Sequence, residues 1–214
     1  MNDTDPTSKA SATHGVILTA AVNVFAAEGF RNTDVQVIAD RANVGKGTVY
    51  RHFGNKAQLF VATAQFCIEQ LGEFVSHQLG KHPTIEAFIE AKGAAELLHR
   101  IARACAQFYQ QNPPFLEIMI QERVEFREAE NPLQVVFRQN ARAGLDRIME
   151  IGIKRGEFRK GDATSVSDAF SDLLYGCLVK GCFEGDASKL VERVEHAIEL
   201  LLNGIVRRSP RSTG

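Results

Sequence analysis

Between Arg41 and Ile68 the chain has no Asp or Glu, yet Arg41, Lys46, Arg51, His52 and Lys56 all fall there, on a protein whose net charge is −1. Cations gathered in one acid-free segment of a near-neutral chain form a patch suited to phosphate. The order of residues says more than the charge. Gly45-Lys46-Gly47-Thr48 comes first and Tyr50-Arg51-His52 follows. As the leading turn of a helix laid in a major groove, Lys46 and Thr48 would stand at base edges, and Gly45 and Gly47 would let the backbone approach closely. Tyr50, Arg51 and His52 would reach phosphates or bases. Lys56 opens the next helix, where exposed amides and a cation can clamp a phosphate.

Catalytic chemistry finds little to work with. Glu117, Glu122, Glu125 and Glu128 are near neighbours, and His77, His82, His99 and His196 are present. There is no H-E-x-x-H, no phosphate-binding glycine loop and no nucleophile elbow. The glutamates interleave with Arg123 and Arg127, the pattern of an exposed helix laced with i,i+4 pairs. No catalytic residue, metal ligand or cofactor is assigned, and the chain is not expected to be an enzyme. Cys67, Cys105, Cys177 and Cys182 include no C-x-x-C pair and sit among apolar residues, as small core side chains do. No apolar run approaches the ~18 residues that would span a bilayer, and the polar start Met1 to Ala12 has no signal-peptide centre. A cytoplasmic protein without a membrane partner is expected.

The elements that must position the basic segment are helical. Val16, Ile17, Ala20, Ala21, Val24 and Phe25 recur at spacings of three and four, with Gly29 placed to end their helix. Thr33-Asp34-Val35-Gln36 reads as a capping box, in which the Thr33 hydroxyl accepts from the Gln36 amide and Gln36 reaches back. A short helix to about Ala42 buries Val35, Ile38 and Ala39. Asn43 tolerates the left-handed turn that follows, and a second short helix runs from Gly45 to the break at Gly54. Two short helices joined by a tight turn, the second one basic, form a helix-turn-helix. Val49 and Phe53 are expected to pack inward, whereas Tyr50 suits either packing or contact.

These positions together resemble a known family. Gly29-Phe30-Arg31-Asn32-Thr33, Val35, Ile38-Ala39, Val44 through Phe53, Lys56 and Leu59-Phe60 resemble the signature of the tetracycline-repressor (TetR-type) regulators over roughly residues 13 to 60. The resemblance implies that Thr33 caps the second helix against a phosphate. It also implies a DNA face of Gly45, Lys46, Gly47, Thr48, Tyr50, Arg51 and His52, with Lys56 on the DNA backbone. Asn43 replaces the usual turn glycine, and Gly45 replaces a serine whose hydroxyl contact is thereby lost. Asp34 stands where a neutral hydroxyl residue is common, and its charge would repel a nearby phosphate.

The rest of the chain reads as helices at about Asn55 to Pro83, Thr84 to Gln111 with Gly93 as a kink or split, Pro114 to Glu125, Pro132 to Lys154, Asp162 to Phe183 and Ser188 to Val206. Apolar stripes on the last two, including Phe170, Leu174, Cys177, Leu178, Val194, Ile198 and Leu201, suggest a four-helix interface with a second subunit. The resemblance implies the same. Cys105, Phe108, Tyr109, Phe115, Met119, Glu122, Phe126 and Phe137 could line a small-molecule effector pocket, although an aromatic stripe is more often plain core.

The expectation is an all-α protein. Residues 1–12 form a disordered arm, 13–60 a three-helix DNA-binding head, 61–206 an effector-binding and dimerisation bundle, and 207–214 a disordered tail. Its function would be that of a homodimeric regulator of double-stranded operator DNA, by default a repressor released by its ligand. The alternative is a helical interaction protein that does not bind DNA.

Overall fold

A computed structural model describes residues 6–80, 84–126, 133–183 and 187–205. The expected tail at 207–214 and the first five residues of the expected arm lie outside the described residues. The helices in chain order are α1 (Pro6–Asn32), α2 (Val35–Arg41), α3 (Lys46–Phe53), α4 (Lys56–Leu79), α5 (Ile85–Lys92), α6 (Ala94–Gln111), α7 (Pro113–Glu125), α8 (Leu133–Lys154), α9 (Ala163–Phe183) and α10 (Leu190–Ile205). No strand occurs among the described residues, and the fold is all-α as the periodicity requires.

Helix α1 begins earlier than expected, at Pro6, within the stretch read as an arm. Proline in a first helical turn gives up a donor that would have no intrahelical partner anyway. The helical backbone is interrupted at Gly29, at φ 78° and ψ 155°, a conformation that glycine adopts without a Cβ penalty. Gly93, at φ 96°, divides α5 from α6. Thr84 caps α5 by accepting from the Ala87 amide at 3.1 Å.

Two compact units result. The first contains α1, α2, α3, the first part of α4, and α7. Its core joins Ile17, Ala21, Val24 and Phe25 of α1 to Val35, Ile38 and Ala39 of α2, Val49 and Phe53 of α3, and Leu59, Phe60, Ala64 and Cys67 of α4. Ile118 and Met119 of α7 complete it. At ~1.5–3 kcal/mol for each fully buried large apolar side chain, this cluster is the main force holding the short helices α2 and α3 in place.

The seat of α7 is specific. Just past Gly29, where the helical backbone of α1 is interrupted, the Phe30 amide donates to Gln121 Oε1 at 3.2 Å. Gln121 Nε2 donates to the Phe25 carbonyl at 3.0 Å. Phe126 stacks on Phe60 with centroids 5.5 Å apart and meets Phe30 at 5.3 Å, while Arg31 Nε pairs with Glu125 at 2.9 Å.

The second unit holds the last part of α4, α5, α6, most of α8, α9 and α10. Helix α10 packs against both α6 and α9. Glu157, in the turn after α8, accepts from the Ala94 and Ala95 amides with its two carboxylate oxygens, each at 2.8 Å. It thereby satisfies the amino end of α6, which Gly93 cannot cap with a side chain. Gln110 Oε1 likewise accepts from the Val191 amide of α10 at 3.1 Å.

Candidate nucleic-acid interface

The α2–α3 turn is built on Asn43, the one non-glycine residue with positive φ (52°) among the described residues. The Asn43 amide donates to Asp40 O at 3.1 Å, and the Val44 amide donates to Ala39 O at 2.9 Å. These bonds reverse the chain in few residues and present Gly45 as the N-cap of α3. Gly45 offers no side-chain cap, so the leading amides of α3 stay available to an outside acceptor.

Val49 and Phe53 face inward and fix the roll of α3. That roll leaves Gly45, Gly47, Tyr50 and Arg51 exposed, and Lys46, Thr48 and His52 half-buried. Tyr50, whose sequence context suited either reading, is 40 % exposed. A Cβ added at Gly45 or Gly47 would meet nothing within 4 Å, so no internal neighbour demands a glycine at either place. His52 lies beside His14 of α1 with ring centroids 6.1 Å apart, and His14 in turn rests on Phe53 at 4.6 Å.

Two expectations need correction. The capping box does not form: Asp34, not Thr33, caps α2, accepting from the Gln36 amide at 2.9 Å. The Gln36 side chain turns to Asp40 Oδ1 at 2.8 Å. Thr33 is only 3 % exposed, and its hydroxyl donates to Gly29 O at 2.8 Å. It staples the end of α1 from within and does not join the exposed face. Lys56 donates from Nζ to both Arg31 O and Thr33 O at 2.9 Å, and its charge sits 5.1 Å from the Phe30 ring centroid. A lysine on carbonyls at the end of a helix is favourable, and an ammonium has three donors, so one remains for a phosphate.

Lys46 donates to Asp34 Oδ1 at 2.8 Å. The Gln36 amide, with Lys46 second, holds the Asp34 carboxyl below its ordinary range, and Asp34 in turn raises the Lys46 pKa. No sequence pattern announced this pair, because it joins residues twelve positions apart on different helices.

The eight residues expected to line an effector pocket are divided between the two units. Phe115, Met119 and Phe126 belong to the core of the first unit or pack against it, and Glu122 is buried in the same unit. Cys105, Phe108 and Tyr109 lie in the second unit, where Phe108 meets Phe74 at 5.6 Å. The Phe137 side chain falls outside the described residues.

Four of the residues expected at a subunit interface are also reassigned. Phe170, Leu178, Val194 and Ile198 are buried within the subunit itself, where α10 packs against both α6 and α9. Leu174, Cys177 and Leu201 are half-buried. Among the described residues, the large apolar side chains left exposed on α9 and α10 are Tyr175 at 40 %, Leu200 at 62 % and Phe183 at 80 %.

Among the described residues no group of three or more His, Cys, Asp and Glu side chains could hold a metal, and no helix is long and apolar enough to cross a membrane. Glu96 and His99 fall three apart on α6, but Glu96 is paired with Arg100 at 2.7 Å.

Residues 17–63 match the model of the family described as bacterial regulatory proteins, tetR family. The HTH-type transcriptional regulator YvkB of Bacillus subtilis is 23% identical over 192 residues, covering 88% of this chain and 95% of that protein. The "Probable acrEF/envCD operon repressor" of Escherichia coli K12 is 42% identical over 53 residues, or 25% of this chain and 24% of that one. A crystal structure of a TetR transcriptional regulator from Chloroflexus aurantiacus superposes with a TM-score of 0.74 at 19% identity, covering 94% of this chain and 99% of that one. At that identity the superposition speaks for the fold.

Proposed function

We propose, from the premise that this chain belongs to the tetR family of bacterial regulatory proteins, that it acts as a homodimeric repressor which binds operator duplex DNA through α3 and leaves it when a small molecule occupies the second unit. One observation carries the DNA reading. Helix α3 stands at the surface with its amino end uncapped by any side chain, Gly47, Tyr50 and Arg51 outward, and Val49 and Phe53 locked into the core. That is the posture of a helix whose leading residues read base edges.

Within this reading Gly45, Lys46, Gly47, Thr48, Tyr50, Arg51 and His52 form the DNA face, and Lys56 lends its remaining donor to the backbone. Repression is supported by the likeness to the Escherichia coli acrEF/envCD operon repressor. Two copies are needed because half-sites repeat every ~34–36 Å along the duplex. We place the subunit contact on Tyr175, Leu200 and Phe183 with the half-buried Leu174, Cys177 and Leu201, and not on the buried stripe. For the ligand to release DNA it must prefer the conformation that binds DNA poorly, since equal affinity for both shifts nothing.

The test is a fluorescence-anisotropy titration of the full chain on duplex DNA across a salt series. Binding should weaken steeply with salt, and Lys56→Ala should lower affinity for every sequence and flatten the log–log slope by about one. Thr48 substitutions should change which sequence is preferred, by ~1–3 kcal/mol per affected base pair. A wild-type chain that ignores duplex DNA at low salt would favour a helical interaction protein instead.

A further inference from the structure

Asp34 does more than its place as an N-cap requires. Capping α2 needs an oxygen that accepts from the Gln36 amide, and Asn or Ser supplies one as well as Asp does. The negative charge exceeds that need. It is also spent at an unfavourable place, on the same head surface as the acid-free segment that runs from Arg41 to Ile68. The same Oδ1 that takes the Gln36 amide at 2.9 Å takes Lys46 Nζ at 2.8 Å. The second acid of α2, Asp40, is already engaged by Gln36 Nε2. Both partners of the Asp34–Lys46 pair are substantially exposed, with side chains 63 % and 38 % accessible, and exposed pairs add little to folding stability. The pair with Lys46 therefore adds little to fold stability beyond what the cap and the helix dipole already supply.

We propose that Asp34 tunes the selectivity of the DNA face by holding the Lys46 ammonium as an internal counter-ion, so that the lysine is not free to neutralise a phosphate on any duplex it meets. This rests on the DNA-binding reading above. Sequence-independent affinity comes from lysines and arginines that release counter-ions from phosphates, whereas sequence is read at base edges. A carboxylate that occupies one such lysine lowers the first without touching Thr48 or Arg51. The ratio of specific to non-specific binding rises as a result. Asp34 is thus a positioning residue acting through Lys46.

The experiment compares wild type, Asp34→Asn, Lys46→Ala and the double variant on a mixed-sequence duplex and on a duplex selected for wild-type binding, across a salt series. Circular dichroism and thermal melting confirm that each chain is folded, and Asp34→Ser provides a second neutral cap. Asp34→Asn should bind the mixed-sequence duplex more tightly and show a log–log salt slope steeper by about 0.9. Between roughly 50 and 200 mM salt that variant should lose about 3.5-fold more affinity than wild type does. Its preference for the selected duplex should shrink, and the double variant should show the slope of Lys46→Ala alone. An unchanged slope and affinity in both neutral variants would overturn the proposal, and so would an equal steepening when Lys46 is absent. If wild type binds no duplex at all, the DNA reading itself fails and takes this inference with it. If wild type binds and only the variants are silent, the DNA reading stands without it.

Discussion

Gly47 shows how a residue can be explained from outside the molecule. It lies inside a helix, where glycine costs ~0.5–1 kcal/mol relative to alanine, and a Cβ there would meet nothing in the protein. Neither the fold nor a positive φ requires it. Within the proposed function the missing side chain makes room for the DNA surface. Gly47→Ala should therefore leave the protein as stable as before or slightly more so by thermal melting, while affinity for duplex DNA falls in anisotropy titrations. A variant that binds as well as wild type would return Gly47 to the status of an incidental residue. Thr33 illustrates the opposite case. Sequence spacing placed it at the surface as a cap, but a threonine hydroxyl can equally donate to the carbonyl four residues back, and here it donates to Gly29 O. Spacing could not choose between two hydrogen bonds of similar worth.

At the scale of elements, chain breaks were legible and neighbours were not. Gly29, Asn43, Gly54 and Gly93 mark breaks in the structure as their φ freedom predicts. Each depends on local sterics alone, and local sterics are written in adjacent residues. The membership of α7 in the first unit depends on a residue ninety positions from its partners. Gln121 supplies an acceptor to the Phe30 amide and a donor to the Phe25 carbonyl, on either side of the irregular backbone at Gly29. Nothing in the periodicity of α7 shows where its apolar face goes. Gln121→Ala removes both of these hydrogen bonds in a part-buried place, so it should cost ~1–3 kcal/mol. The urea midpoint should fall, and hydrogen exchange should quicken at the Phe30 amide before it does in α10. If exchange at Phe30 stays unchanged, water already serves that amide and the clamp contributes little.

At the scale of the whole molecule, the proposed homodimer needs an apolar face left open for a second copy. A stripe at spacings of three and four is the same signal whether it packs against a helix of its own chain or of another, so the sequence could not separate the two. Burial differs along α10: Val194 and Ile198 are fully enclosed, whereas Leu200 is 62 % exposed. The two classes should respond differently to substitution. Ile198→Ala removes packed atoms from a filled core and should cost ~2–5 kcal/mol whatever the oligomeric state. Leu200→Glu touches no core, and in an isolated subunit such a surface change stays within about 0.5 kcal/mol. At a subunit interface the same substitution would enclose two unpaired carboxylates across the two-fold axis. Analytical ultracentrifugation should therefore find Leu200→Glu folded but monomeric. Its affinity for a two-half-site duplex should drop towards that for a single half-site, because the second α3 is no longer tethered to the first. A Leu200→Glu chain that sediments as the wild type does would move the subunit contact off this face and leave the pairing of half-sites to be sought elsewhere on the second unit.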